Sequence, residues 1–165
     1  MCGIAGFIDF KKVSTEETIR SMIQPLNHRG PDGDGVLLLQ NPNATIGFGH
    51  KRLSIIDLTE TGRQPMSLNN LHLTFNGEIY NFQEIKDELS RLGHKFIGES
   101  DTEMILHAFL EWGTQCVHKF IGMFAIVIYD DKANEINCFR DRAGVKPFFY
   151  YWKDDLFLFS SELKS

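Results

Sequence analysis

Strand-like runs at both ends of the chain, with helical periodicity only between them, restrict the fold of this sequence more than any other property. From Met123 onward four runs, MFAIVIYD, EINCFRD, PFFYYW and LFLFSSE, are rich in aromatic and β-branched residues, and short polar turns separate the first pair and the last pair. They predict antiparallel hairpins in a C-terminal meander. At the other end, residues 2–9 (CGIAGFID) alternate small and apolar residues and predict a strand that begins at Cys2. Between these ends, Ser14 with Glu17 forms a capping-box pattern. Ile19, Met22, Ile23 and Leu26 then recur at helical spacing, so a helix is expected to about Leu26. The stretch HRGPDGDG is too rich in glycine for a regular element and predicts a loop. Val36 to Leu39 and Thr45 to Gly49 flank Asn41-Pro42-Asn43 and predict a hairpin that leads into Lys51-Arg52. Leu71 to Phe75 predicts a strand, and Phe82, Ile85, Leu89 and Leu92 a helix that Gly93 ends. A second capping box, Ser100 with Glu103, precedes the helical spacing of Met104, Ile105, Ala108, Phe109 and Trp112. The sum is one α+β layered domain over residues 1–165, two sheets with helices packed outside them.

A chain of 165 residues buries roughly 70% of its unfolded surface, enough for one well-formed core. Apolar residues make up 42% and charged residues 24%, with no tract fit to span a bilayer, so a soluble protein is expected and a membrane is not. No basic stretch precedes the short apolar run at the start, which predicts a cytoplasmic location. The net charge of -5, with no Lys/Arg cluster, argues against nucleic acid. The three cysteines, Cys2, Cys116 and Cys138, fit neither a zinc site nor a disulfide framework. The histidines are scattered apart from the loose pair His107 and His118, so no metal is expected. Small-molecule chemistry remains.

Three features could carry it. Removal of Met1 would leave Cys2 with a thiol and a free α-amine on one residue. An amine titrating near about 8 can accept the proton of a thiol titrating near about 8.5, so an N-terminal cysteine carries its own base. Taken alone, Cys2 reads more readily as an ordinary small residue starting a strand. Asn76-Gly77 by itself reads as a tight turn, but a helical run follows it instead of a second strand. A side-chain amide beside a glycine N–H supplies the donors of an oxyanion hole. Arg52, Glu78 and Asp101 lie next to strand ends or helix starts. Together they offer a fork for a carboxylate and two carboxylates for an ammonium, as a free amino acid requires. Asp101 could instead only help to cap its helix.

The blocks MCGIAGF, HRGPDGDG, GHKRLSIIDL, GRQP, FNGEIYNF, ESDTE, GMFAIVIYD and RDRAGVKPFFYY, in this order and over nearly the whole chain, resemble class II glutamine amidotransferases, and within them the glutaminase half of glutamine-hydrolysing asparagine synthetases. The resemblance implies an N-terminal nucleophile hydrolase fold, an αββα sandwich of two antiparallel sheets between helical layers. It implies Cys2 as nucleophile, Asn76 with the Gly77 N–H as oxyanion hole, and Arg52, Glu78 and Asp101 as the glutamine clamp. Leu53, Ile55 and Ile56 would help to line the pocket, and Arg29 resembles an arginine near the nucleophile, with support of its loop as the alternative. The glutaminase step implies no cofactor. ATP and magnesium belong to a synthetase domain, whose phosphate-binding SGG-x-D run is absent from this sequence. Such an ATP-dependent domain or subunit is the implied ammonia acceptor, and self-association into a homo-oligomer stays open. Ala143 stands where the family has a bulkier residue. A retained Met1 would acylate the amine and leave a catalytically silent glutamine-binding module. A related hydrolase acting on another amide would keep Cys2 without needing the clamp.

Overall fold

The computed structural model describes residues 2–53 and 62–165. Strands β1 (Gly3–Asp9), β2 (Gly33–Gln40) and β3 (Thr45–Arg52) join the two C-terminal strands β8 (Phe149–Lys153) and β9 (Leu156–Ser160) in one antiparallel sheet of order β2-β3-β1-β9-β8. Strands β4 (Met66–Leu68), β5 (Leu71–Ile79), β6 (Gly122–Asp130) and β7 (Glu135–Arg140) form a second antiparallel sheet in that order.

Side-chain alternation explains how the sheets stack. On β1, Ile4 and Ile8 turn inward and meet Ile46, Phe48, Phe157 and Phe159 of the same sheet and Ala125, Val127 and Tyr129 of β6. The opposite face of β1 carries Ala5, which packs on Ile23 and Leu26 of helix α1 (Glu16–Ile23) and the 3-10 turn that continues it. The outer face of β5 and β6, Leu71, Leu73, Phe75, Ile126 and Ile128, packs on Ile85 and Leu89 of α2 (Phe82–Arg91) and on Met104, Ile105 and Ala108 of α3 (Asp101–Trp112). The result is the expected α+β layering, helix on sheet on sheet on helix.

The structure differs from the sequence reading in five places. The C-terminal runs do not form one meander: β6 and β7 extend the β5 sheet, whereas β9 pairs with β1, with Phe7 opposite Leu158. Residues 141–148 cross between the sheets. Strand β2 begins at Gly33, inside the predicted loop, because a register of eight pairs with β3, from Gly33 opposite Arg52 to Gln40 opposite Thr45, overrides local turn preference. Helix α1 is capped at Thr15, not Ser14. The Ser14 N–H already donates to Asp9 Oδ2 at 2.8 Å, and the Thr15 N–H donates to Thr18 Oγ1 at 3.1 Å. The strand that ends at Phe75 in the prediction runs on through Ile79, carrying Asn76-Gly77 within it. Strand β4 and the 3-10 segment Gly113–His118 have no counterpart in the prediction.

Candidate active site

The nucleophile candidate sits where the two sheets meet. Cys2 directly precedes β1, and the register that sets Gly3 opposite Lys51 brings it beside the end of β3. There the Leu53 N–H donates to Cys2 Sγ at 3.4 Å, while the thiol faces the Leu53 carbonyl at 3.8 Å. Arg29 fixes the backbone of the same residue, donating from Nε to the Cys2 carbonyl at 3.0 Å. Arg29 is held in turn by Glu162 at 3.0 Å, which also accepts from the His28 ring at 2.9 Å. Burial opposes ionisation of Glu162, but hydrogen bonds from Arg29, His28 and Lys164 outweigh it and bring the carboxyl down to about 2. The Ile4 N–H donates to Ser161 Oγ at 3.0 Å, so the last residues of the chain clamp the first.

Opposite Cys2, the second sheet supplies donors. Asn76 is 1% exposed, and its Nδ2 has no hydrogen-bond partner among the described residues. A buried amide donor without a partner is rare and calls for an explanation. The Gly77 N–H follows from the ladder. Tyr80 N–H donates to the Ile121 carbonyl, so in the register of β5 with β6 the residues 76, 78 and 80 bond to β6 and the odd ones turn away. Phe75 N–H accordingly goes to Gln64 Oε1 at 2.6 Å and Ile79 N–H to Asp101 Oδ2 at 3.2 Å. The Gly77 N–H, between them, faces the same side. A Cβ at Gly77 would lie 2.2 Å from the Met123 carbonyl, so no other residue fits without moving β6.

A cavity of about 320 Å³ is lined by Cys2, Arg52, Leu53, Asn76, Gly77, Glu78 and Asp101, bringing seven of the residues singled out above into one place. Arg29 stays behind Cys2, outside the cavity wall. Ile55 and Ile56 lie outside the described residues. Asp101 opens α3. Burial, reinforced by neighbouring Glu78 and opposed by the Ile79 N–H, raises its carboxyl to about 6. The loop before it is tied down at several points. Ser100 Oγ caps the Glu103 N–H at 3.4 Å, as predicted, but the Glu103 carboxylate does not close the box. It accepts the Ile97 and Gly98 N–H groups instead, at 2.8 and 2.7 Å. The buried Lys86 donates to the Gly98 carbonyl and Glu99.

The same cavity holds three residues that sequence reasoning missed: His50, Gln64 and Lys146. Burial, with help from Arg52, lowers His50 to about 4, so its imidazole is neutral, and its Nε2 has no partner among the described residues. Gln64 fastens the free edge of β5 to α3, since its Nε2 donates to Thr102 Oγ1 at 3.3 Å while its Oε1 holds the Phe75 N–H. The other cysteines lie elsewhere. Cys116 is fully buried, and burial pushes its thiol up to about 12. Cys138 is exposed on edge strand β7. His107 does not pair with His118. Its Nδ1 meets that of His94 at 2.9 Å. Among the described residues no group of three or more His, Cys, Asp or Glu is placed to hold a metal ion, and no helix is long and apolar enough to cross a membrane.

Comparison with known proteins places the chain in a family. A family model described as "Glutamine amidotransferase domain" matches residues 1–165. Asparagine synthetase [glutamine-hydrolyzing] 3 of Bacillus subtilis is 43% identical over the whole chain, which covers 27% of that protein. Asparagine synthetase [glutamine-hydrolyzing] 1 of the same organism is 38% identical, again over the whole chain, which covers 26% of it. The chain thus spans about a quarter of these relatives. Among solved structures, glutamine phosphoribosylpyrophosphate amidotransferase from B. subtilis superposes over 97% of this chain and 42% of its own, with a TM-score of 0.80 at 20% identity. That likeness shows a shared fold, the αββα sandwich described above. The chain belongs to the glutamine amidotransferase domain family, class II.

Proposed function

We propose that this domain hydrolyses the side-chain amide of glutamine to glutamate and ammonia through a thioester on Cys2, and that the ammonia serves an ATP-dependent domain of the asparagine synthetase type. The observation that carries this reading is the single cavity that joins the Cys2 sulfur to an unpartnered buried amide donor and to a cation and two carboxylates. With Met1 removed, the α-amine of Cys2 takes the thiol proton and the sulfur adds to the glutamine Cδ. Negative charge then grows on the amide oxygen, where Asn76 Nδ2 and the Gly77 N–H meet it. The amine returns its proton to the nitrogen, the C–N bond breaks and ammonia leaves. Water then adds to the γ-glutamyl thioester, the C–S bond breaks, and glutamate departs. Throughout, Arg52 holds the substrate carboxylate while Glu78 and Asp101 hold its ammonium, with Leu53 at the wall. Arg29 keeps Cys2 in place through the backbone. No cofactor is needed for these steps, and ATP with magnesium would serve only the acceptor half. The test combines an intact-mass measurement of the N-terminus with a glutamate-release assay. Loss of the Met1 mass, with activity that vanishes in Cys2→Ala at an unchanged melting temperature, is expected. Retention of Met1 with no release of glutamate would instead make the domain a silent glutamine binder.

A further inference from the structure

The block RDRAGVK between the two sheets has no part in the steps above, yet it is built with unusual care around one side chain. Asp141 accepts the N–H groups of Phe124, Val145 and Lys146 at 3.2, 2.8 and 3.0 Å, and its own N–H returns to the Phe124 carbonyl at 2.9 Å. Arg140 spans the other side of the turn, donating to the carbonyls of Lys146 and Gly144, each at 2.7 Å. Gly144 takes φ +65°, a left-handed turn that a residue with a Cβ adopts only under strain. The knot delivers Lys146 into the wall of the cavity that Cys2 also lines, with only 3% of the residue exposed.

Burying an ammonium is expensive unless anions surround it. Burial and the nearby Arg29 both push the Lys146 ammonium below the usual lysine range, while Cys2, Glu78 and Asp141 oppose them. A buried cation that lines the same cavity as Cys2 favours an anion on the sulfur there. We propose that Lys146 supplies the positive potential that stabilises negative charge on the Cys2 sulfur, first as thiolate and again when sulfur leaves during thioester hydrolysis, without itself giving up a proton. This rests on Cys2 being the nucleophile.

Two reagents with the same leaving group and different charge separate the ideas. The purified protein is treated at pH 7.5 with iodoacetate, an anion, or iodoacetamide, which is neutral, and alkylation of each cysteine is followed by peptide-resolved mass spectrometry. The ratio of the two rates at Cys2 reports local potential, because thiolate fraction and nucleophilicity cancel. Lys146→Met should lower that ratio about fivefold, the order expected for one unit charge a few ångströms away in a partly wet cavity. Lys146→Arg should restore it to within about twofold, and the ratio at Cys138 should not change. A purely structural lysine would shift the melting temperature and leave the ratio alone. If Cys2 is alkylated with the same ratio in wild type, Lys146→Met and Lys146→Arg, the role given to Lys146 is wrong while Cys2 stands. If Cys138 is alkylated and Cys2 is not, the nucleophile reading falls and the proposal with it.

Discussion

Asn76 shows how surroundings set apart a residue common in turns. It lies inside β5, buried, with a donor that nothing in the described protein satisfies. Removing one oxyanion donor typically costs about 2.7 to 4 kcal/mol of transition-state stabilisation. Asn76→Ala should therefore lower kcat roughly a hundred- to a thousandfold with KM little changed, and Asn76→Asp, which sets a carboxylate against the oxyanion, should be at least as damaging. Near-normal turnover in Asn76→Asp would remove Asn76 from the mechanism. In the proposed clamp Arg52 holds the substrate carboxylate, so Arg52→Ala should raise the glutamine KM roughly ten- to a hundredfold. A substrate amide lacking the α-carboxylate should be nearly indifferent to the change, and equal effects on both would make Arg52 structural. Cys2, Asn76, Arg52, Glu78 and Asp101, which the structure brings to one cavity, stood out in the sequence only taken together and through the blocks that resemble the family, since each alone reads as bland. His50, Gln64 and Lys146 did not, because a single polar residue in a strand or loop has no periodic signature. Its burial is decided by partners far away in sequence, as Gln64 is by Phe75 and Thr102.

Among the elements, the loop between α2 and α3 leads into Asp101 and forms part of the cavity wall. Its backbone is held by Glu103, whose carboxylate takes two N–H groups. Glu103→Ala leaves both donors without their partner. At about 1 to 3 kcal/mol for each buried unsatisfied group, partly relieved by water, a total loss of roughly 2 to 4 kcal/mol is expected. In a domain of this size that corresponds to a fall of several degrees in melting temperature. The glutamine KM should rise as well, since Asp101 follows this loop, while Glu103→Gln, which keeps an acceptor, should lose less of both. An unchanged melting curve for Glu103→Ala would show that the loop needs no such anchor. The helices and the β2–β3 hairpin were readable in the sequence, since periodicity and turn residues are local signals. The three residues of β4 are too few to leave a pattern. Sheet membership is a still harder problem, because the pairing of β9 with β1 joins opposite ends of the chain and adjacent hairpins look alike wherever they go.

Across the whole molecule, the site straddles the two sheets, and its burial leaves a signature in how stability depends on pH. Asp101 is raised from 3.8 to about 6, chiefly by burial, and His50 is lowered from 6.5 to about 4, also chiefly by burial. Between pH 7 and 5 the native Asp101 takes up a proton that the unfolded chain does not, so this residue makes the protein more stable as pH falls. His50 acts in the opposite sense, because the unfolded histidine charges near its ordinary pKa while the native one stays neutral. Each tenfold difference in proton affinity between the native and unfolded chain is worth roughly 1.4 kcal/mol, so Asp101 contributes a gain of about 1 kcal/mol by pH 5 and His50 a loss of about 2. His72 and His107, which burial also lowers, add to the loss. Glu162 does not interfere, since its stabilisation is lost only as pH falls from 4.5 towards about 2. The wild type should thus melt modestly lower at pH 5 than at pH 7. His50→Asn should shrink that difference and Asp101→Asn should widen it, whatever either substitution does at pH 7. Binding tests the same titration independently: with Asp101 holding the substrate ammonium as proposed, the glutamine KM of the wild type should climb as pH drops through 6, while that of Asp101→Asn is high throughout and flat there. Parallel melting and KM slopes in wild type and Asp101→Asn would mean that Asp101 titrates as an ordinary surface carboxylate and takes no part in holding the ammonium.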